Sequence, residues 1–177
     1  MIVLMGARAA GKTSVGERLA SRLGGRFVDL DVEALRLLAA GSVAEAWSSV
    51  GEAGFRRAEL GALERLAETV SPAGPPIVLA LGGGTPVIPE AGKLLASLSA
   101  AGRARIVWLS ADADVLARRL AAAPGDRPSL TGEDVAAELA AVLAARCPIY
   151  ESLADVVVDV DAGPDEVLRR VLAAAQR

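Results

Sequence analysis

Eight residues near the start of the chain have the types and spacing of a phosphate-binding loop. Residues 6–13 read G-A-R-A-A-G-K-T and lie between the apolar run Ile2–Met5 and a stretch of helical pattern, the strand–loop–helix context that a P-loop requires. Gly6 and Gly11 allow the backbone to curl, so that successive N–H groups line a concavity for an anion. Lys12 adds a positive charge, and the following helix directs its positive dipole end at the same point. The segment predicts a nucleotide site.

The remaining members of the loop complete this prediction. The hydroxyl of Thr13 can ligate Mg²⁺, while backbone N–H groups contact phosphate oxygens. We therefore expect ATP and Mg²⁺ to be the cofactors. The loop residues predicted to bind the nucleotide are Gly6, Ala9, Ala10, Gly11, Lys12, Thr13 and Ser14.

Acidic residues and glycines follow the next two apolar runs. Asp29 and Asp31 come after the second run, where one carboxylate can approach Mg²⁺ and the other can accept a proton from an attacking hydroxyl. The alternative is a solvated acidic turn. Gly82, Gly83 and Gly84 follow the third run and allow backbone N–H groups to approach a small polar ligand. The alternative there is a tight turn.

Three arginines are candidate site residues. Arg56 and Glu59 are one helical turn apart, so they form either a surface pair, which spacing alone favours, or a carboxylate clamp in a cleft. Arg127 lies in the polar segment 123–130, where a lid arginine could neutralise a transferring phosphoryl group. Arg146 precedes Pro148, which predicts a helix end with Arg146 compensating the dipole.

The elements that must position these residues alternate along the chain. Apolar runs predict strands, and segments of helical periodicity predict the helices between them. The predicted strands are 2–5, 26–29, 77–81, 105–109 and 155–158. The predicted helices are 11–22, 32–40, 42–50, 51–70, 89–101, 112–122, 132–146 and 164–175. The prediction is a single domain over residues 1–177, a P-loop three-layer α/β/α fold with a central five-stranded parallel sheet.

Composition excludes several classes of function. The 177 residues are 53% apolar with a net charge of −3 and no histidine, which rules out imidazole chemistry and gives no basic field for nucleic acid. Cys147 is alone and cannot form an internal disulfide. No run approaches the length of a membrane span, and we expect no signal peptide before the first strand. We therefore expect a cytoplasmic protein without a membrane or nucleic-acid partner.

Taken in order, these motifs resemble the shikimate kinase family of the nucleoside monophosphate kinase-like P-loop group. The resemblance covers about residues 2–175. The motifs are G-x-x-x-x-G-K-T at 6–13, D-x-D at 29–31, F-R-x-x-E at 55–59, G-G-G at 82–84, R-P-x-L at 127–130 and R-x-P-x-Y at 146–150. Ala10 and Ser129 are variants that remove neither a charge nor a metal ligand.

The resemblance implies transfer of the ATP γ-phosphoryl group to the 3-hydroxyl of shikimate, a step of aromatic amino-acid biosynthesis. It implies that Arg56 and Arg146 clamp the shikimate carboxylate beside Gly82, Gly83 and Gly84. By the same resemblance Asp31 receives the 3-hydroxyl, and Asp29 joins Thr13 near Mg²⁺. Residues about 32–70 are the implied substrate-binding helices.

For the nucleotide, the resemblance implies that Arg127 closes over ATP from a lid at about 123–131. It also implies an adenine-stacking arginine, either Arg119 or its neighbour Arg118. Trp47 and Phe55 are either apolar walls of the pocket or ordinary core residues. We expect a monomer. Two alternatives stay open: another small-molecule kinase, such as one for gluconate, and a non-catalytic nucleotide-binding regulator.

Overall fold

A parallel β-sheet forms the centre of the protein. The computed structural model describes residues 1–71, 74–122 and 135–175, and in these ranges five strands pair in the order β2-β3-β1-β4-β5. The strands are β1 (Ile2–Met5), β2 (Arg26–Asp29), β3 (Ile77–Ala80), β4 (Arg105–Ser110) and β5 (Val156–Asp159). All four pairings are parallel, so the predicted five-stranded parallel sheet is confirmed.

Helices cover both faces of the sheet, because the central strands are apolar on both faces. The helices are α1 (Lys12–Leu23), α2 (Leu30–Leu38), α3 (Val43–Thr69), α4 (Pro89–Ala100), α5 (Ala113–Ala122), α6 (Val135–Leu153) and α7 (Pro164–Ala175). Leu4 in β1 packs in one core with α1, α5 and α7. Its neighbours Val3 and Met5 pack in a second core with α3 and α4. The three-layer prediction is therefore confirmed, since alternate residues of one strand serve both layers.

The strand ends place the motifs at one edge of the sheet. Val3 of β1 lies between Leu79 of β3 and Ile106 of β4 in the register, so the segments after β1 and β3 leave the sheet side by side. Such an edge is where open α/β sheets bind ligands. The P-loop and the glycine triplet, residues 82–84, are consequently neighbours.

Helix α3 contains a break that the sequence predicts. Its residues run from Val43 to Thr69, but Gly51 has φ 69° and ψ 173°, which is not helical. Glycine adopts this conformation without the steric penalty that a Cβ would bring. The two predicted helices, 42–50 and 51–70, are thus two arms of one bent element.

Pro148 does not end the preceding helix, so that prediction is wrong. Helix α6 continues to Leu153 with Pro148 inside it. Proline removes one backbone hydrogen bond from a helix interior, but the next turn is anchored by Tyr150, which is fully buried in the second core. Tertiary packing therefore outweighs the local cost, and Arg146 lies within the helix rather than at its end.

Helix α2 is also shifted from its prediction. It begins at Leu30 because the side chain of Asp29 caps it by accepting a hydrogen bond from the Asp31 backbone N–H, which is a preferred N-cap role for aspartate. It ends at Ala39 in the left-handed conformation, two residues before the predicted stop at Gly41. Asp29 and Asp31 thus lie at a helix start and not in a free turn. Across the described ranges, every helix is too short or too polar to cross a membrane.

Candidate active site

The P-loop has the backbone conformation that its glycines predict. A methyl group on Gly6 would lie 2.5 Å from the carbonyl oxygen of Leu109, so the loop can pass β4 closely only without a side chain there. Gly11 has φ 88° and is the N-cap of α1. Ala9 also has a positive φ, 63°, a conformation that costs alanine about 1–2 kcal/mol. The sequence gives no sign of this strained position.

Lys12 folds back over the loop. Its Nζ donates to the carbonyl oxygens of Gly6 at 3.0 Å and Ala7 at 2.8 Å. The ammonium group therefore lies at the mouth of the loop, where the phosphates of a nucleotide are expected. Ser14 and Thr13 are exposed on the first turn of α1, where the Ser14 hydroxyl donates to the carbonyl oxygen of Gly11 at 3.3 Å.

Thr13 and Asp29 form an oxygen pair beside the loop. Thr13 Oγ1 donates to Asp29 Oδ2 at 3.1 Å, and hydroxyl and carboxylate oxygens are the ligands that Mg²⁺ prefers. Burial raises the pKa of Asp29, and repulsion from Asp31 raises it further, against the lowering effect of Thr13 and Lys12. A divalent cation bound by this pair would stabilise the charged form of Asp29. The residues therefore fit Mg²⁺.

This pair alone does not make a full coordination shell. In the described ranges, no group of three or more acidic, cysteine or histidine side chains could hold a metal ion. A Mg²⁺ ion here would take its remaining ligands from water and phosphate oxygens, as Mg²⁺ commonly does.

Each glycine of the triplet lies against at least one charged side chain. A methyl group on Gly82 would lie 2.2 Å from Glu59 Oε1 and 2.6 Å from Asp31 Oδ1. On Gly84 it would lie 2.3 Å from the Arg56 guanidinium carbon. The triplet is therefore more than a tight turn: it leaves room for three charged groups to meet the backbone.

Arg56 is held by two carboxylates and is not on the surface. Its NH1 donates to Glu59 Oε2 at 2.6 Å and its NH2 to Glu52 Oε1 at 3.0 Å. The side chain of Arg56 is 16% exposed and that of Glu59 is fully buried. The surface pair that spacing favours is therefore wrong, because α3 turns this face toward the glycine triplet.

The charges of this pair depend on one another. Burial raises the pKa of Glu59, and Asp31 raises it too, while Arg56 and the Thr85 hydroxyl lower it. Burial lowers the pKa of Arg56, but Glu59 and Glu52 outweigh it and the net shift is upward. Arg56 is thus a fixed positive charge, as a clamp for a carboxylate requires.

Arg146 reaches the glycine triplet from helix α6. A methyl group on Gly83 would lie 3.4 Å from Arg146 NH1 and 3.5 Å from the carbonyl oxygen of Gly6. Tyr150, one turn further along α6, donates to the Gly83 carbonyl oxygen at 2.5 Å and accepts a hydrogen bond from Arg146. Burial raises the pKa of Tyr150, so its hydroxyl stays protonated. Arg56 and Arg146 thus flank adjacent glycines.

Arg119 is the arginine of its pair that contacts the nucleotide edge of the sheet. Its NH2 donates to the carbonyl oxygen of Val160 at 2.6 Å and its NH1 approaches that of Ala9 at 3.5 Å, whereas Arg118 is exposed. Arg119 therefore connects the P-loop to the segment after β5. That Arg119 stacks on adenine stays a prediction.

Other predicted residues are placed differently or are not described. Phe55 is fully buried in a cluster with Val43 and Ala46, against which Trp47 packs, so Phe55 is a core residue here. Arg127, with the predicted lid at 123–131, lies outside the described residues.

Sequence reasoning missed several participants. Glu52 and Thr85 hold the Arg56–Glu59 pair, and neither has a distinctive motif. Tyr150 belongs to the R-x-P-x-Y motif, but the sequence predicts no role for it. Val160 could have been found, because it follows the end of β5 at the same sheet edge.

Comparison with known proteins identifies the family of this chain. The family model described as shikimate kinase matches residues 8–176. The chain is 38% identical over 177 residues to Shikimate kinase 2 of Serratia proteamaculans (strain 568), covering 99% of this chain and 95% of that protein.

Solved structures rank the two kinase alternatives. The structure of shikimate kinase from Acinetobacter baumannii in complex with shikimate has a TM-score of 0.85 at 28% identity, covering 99% of this chain and 92% of that one. A gluconokinase from Sinorhizobium meliloti 1021 has a TM-score of 0.59 at 26% identity, with coverages of 99% and 91%. The chain belongs to the shikimate kinase family.

Proposed function

We propose that this protein transfers the γ-phosphoryl group of ATP to the 3-hydroxyl of shikimate. One arrangement supports this most directly: Arg56 and Arg146 lie against Gly84 and Gly83, beside Asp31 and next to the P-loop. Shikimate carries one carboxylate and three hydroxyls, so it needs an anion clamp at one end and a hydroxyl acceptor at the other. The site offers both within reach of the phosphate-binding loop.

The acceptor is bound through its carboxylate. Guanidinium groups bind carboxylates in a planar, charge-assisted geometry, and two of them from different helices would fix the direction of the ring. The glycine triplet lies between them with no side chain of its own, so the ring can approach the backbone. We infer that Gly82, Gly83 and Gly84 border the bound ring.

The phosphate groups are bound at the P-loop. The loop amides and Lys12 face the β- and γ-phosphates and stabilise charge that develops during transfer. We assign the same task to Arg127 and the adenine contact to Arg119, both on the family resemblance. Arg119 is supported by its hydrogen bonds to Ala9 and Val160.

Thr13 and Asp29 would hold Mg²⁺ with ATP. When bound, the ion neutralises part of the phosphate charge and orients the phosphate oxygens. Asp29 is fixed for this role because one oxygen caps α2 and the other accepts from Thr13. Because Asp29 is assigned to Mg²⁺, Asp31 is available to bind the attacking hydroxyl of shikimate.

Asp31 would accept the hydrogen bond of the attacking hydroxyl. Its Oδ1 lies 2.6 Å from the point that a methyl group on Gly82 would occupy, and Glu59 Oε1 lies 2.2 Å from the same point. Because phosphoryl transfer has a loose transition state, positioning of the hydroxyl contributes more than removal of its proton. We propose that the enzyme acts as a monomer in the cytoplasm.

Acceptor-dependent ADP release tests the proposal. The purified protein is assayed with ATP and Mg²⁺ plus shikimate, plus gluconate, or with no acceptor. We expect turnover with shikimate alone. Turnover with gluconate instead would support the alternative kinase, and ATP binding without turnover on any acceptor would support a regulator.

A further inference from the structure

The buried carboxylate of Glu59 needs two hydrogen-bond donors, and the protein supplies both. A carboxylate only accepts hydrogen bonds, and leaving one oxygen unsatisfied in the interior is costly. Oε2 accepts from Arg56 at 2.6 Å, and Oε1 accepts from the hydroxyl of Thr85 at 2.6 Å. Glu59 and Thr85 are both fully buried. The two bonds leave Glu59 a single orientation.

Thr85 is placed by the backbone that follows the glycine triplet. Residues Thr85–Val87 form a short 3₁₀ turn, and the Thr85 backbone N–H donates to the Gly82 carbonyl oxygen at 3.1 Å. The turn directs the Thr85 hydroxyl at Glu59 Oε1, 3.0 Å from the point that a methyl group on Gly82 would occupy. The donor is therefore fixed by the backbone.

The hydroxyl faces the crowded side of Glu59. Oε1 of Glu59 and Oδ1 of Asp31 lie 2.2 and 2.6 Å from that same point beside Gly82, and Asp31 raises the pKa of Glu59 by repulsion. A donor at Oε1 stabilises the charged form of Glu59 against this repulsion.

We propose that Thr85 is a positioning residue for the acceptor: its hydroxyl keeps Glu59 oriented toward Arg56, so that the guanidinium stays directed at the substrate carboxylate. The proposal rests on the proposed binding of shikimate by Arg56. Loss of the hydroxyl leaves the charge of Arg56 unchanged. It frees Glu59, however, to rotate or to take up a proton, and Arg56 is then held less firmly.

The test compares variants of Thr85 by their kinetics. Thr85→Val deletes the hydroxyl at nearly constant volume, Thr85→Ala deletes it without a methyl group against the carboxylate, and Thr85→Ser keeps it. We expect Val and Ala to raise the KM for shikimate on the order of tenfold, with the serine variant within about twofold of wild type. The KM for ATP should not change.

A matched control removes a similar bond elsewhere on α3. The hydroxyl of Thr69 donates to the carbonyl oxygen of Leu66 at 2.8 Å, near the far end of the helix. Thr69→Val should leave the KM for shikimate unchanged. Melting temperatures of all variants separate loss of binding from loss of folding.

The pH profile gives a readout that a merely structural role would not change. The charged groups that act on Glu59 are Arg56 on α3 and Asp31 on α2. Glu52 on α3 bonds to Arg56, and Arg146 and Arg56 both act on Tyr150 of α6. Without the hydroxyl, Glu59 should take up a proton at higher pH. The KM for shikimate in Thr85→Val should therefore begin to rise on acidification at a higher pH than in wild type.

Two results would overturn the proposal. One is a lower melting temperature in Thr85→Val and Thr85→Ala with an unchanged KM for shikimate. The other is a serine variant that behaves like valine. Absence of shikimate turnover in the wild type, measured in the same series, would instead refute the proposed function.

Discussion

In the proposed function, Arg56 and Arg146 supply the charge that a carboxylate substrate would need, and each lies against a glycine that leaves room for it. Arg56 is held by Glu52 and Glu59, and Arg146 by Tyr150. These contacts restrict the side chains before substrate arrives, so less conformational entropy is lost on binding. The predictions at this scale concern single charges.

Arg56→Ala should raise the KM for shikimate by about 10- to 100-fold, since it removes a charge-assisted contact to the substrate. The KM for ATP and the kcat should change much less. Steady-state kinetics with each substrate varied in turn measure this. Arg57→Ala is the matched control, because Arg57 is the exposed neighbour on the same helix. Equal effects of the two substitutions would contradict the clamp.

Lys12→Ala should lower kcat by roughly 100- to 1000-fold, the usual effect of removing a group that stabilises transition-state charge. Lys93 is the other lysine of the chain and is exposed on α4, so Lys93→Ala controls for loss of a lysine as such. Rapid-quench measurement of a single turnover distinguishes slow chemistry from slow product release. A kcat unchanged in Lys12→Ala would exclude this role.

Elements place these residues in ways that the sequence predicts unevenly. The strands, the P-loop and the break at Gly51 follow from apolar runs and glycine, whose signals are local. The inward direction of Arg56 does not, because it depends on how α3 packs against the segment after β3. Pro148 gives a false helix end for the same reason, since the burial of Tyr150 is a tertiary effect.

Gly84→Ala should affect substrate binding, whereas Gly61→Ala should affect only stability. A methyl group on Gly84 would meet the Arg56 guanidinium, whereas one on Gly61, inside α3, would meet nothing within 4 Å. Gly84→Ala should therefore displace the guanidinium and raise the KM for shikimate, but by no more than Arg56→Ala, because the charge is kept. Gly61→Ala should increase the free energy of unfolding by about 0.5–1 kcal/mol with unchanged kinetics. Chemical denaturation and steady-state assays report both. An active Gly84→Ala enzyme with normal KM would argue against the close packing.

At the scale of the whole molecule, one sheet edge collects groups from every layer. The P-loop follows β1, Asp29 ends β2 and the glycine triplet follows β3. Helices α3 and α6 bring Arg56 and Arg146 to the triplet. The fold class and this edge could be predicted from alternation of strands and helices. The buried carboxylate network could not, because it costs stability and leaves no periodic signal.

Burial of the Glu59 carboxylate predicts that the stability of the protein depends on pH. The pKa of Glu59 is raised above its ordinary 4.5, so its contribution to stability is fully present below the pKa of the unfolded chain. The contribution is lost as pH rises through the higher, folded pKa. Glu59→Gln should therefore lose less unfolding free energy than wild type as pH rises through this window. The unfolding free energy of both proteins is measured by denaturation at several pH values. If the two curves of free energy against pH run parallel, Glu59 is not the source of the pH dependence.

The most direct test of the account compares shikimate with its methyl ester, which keeps the hydroxyls but lacks the negative charge. The kcat/KM for both acceptors is measured in wild type and in Arg146→Ala. We predict that wild type strongly prefers shikimate and that the variant loses most of this preference, because Arg146 binds the negatively charged carboxylate. An equal loss on both acceptors would show that Arg146 supports the fold and does not bind the carboxylate.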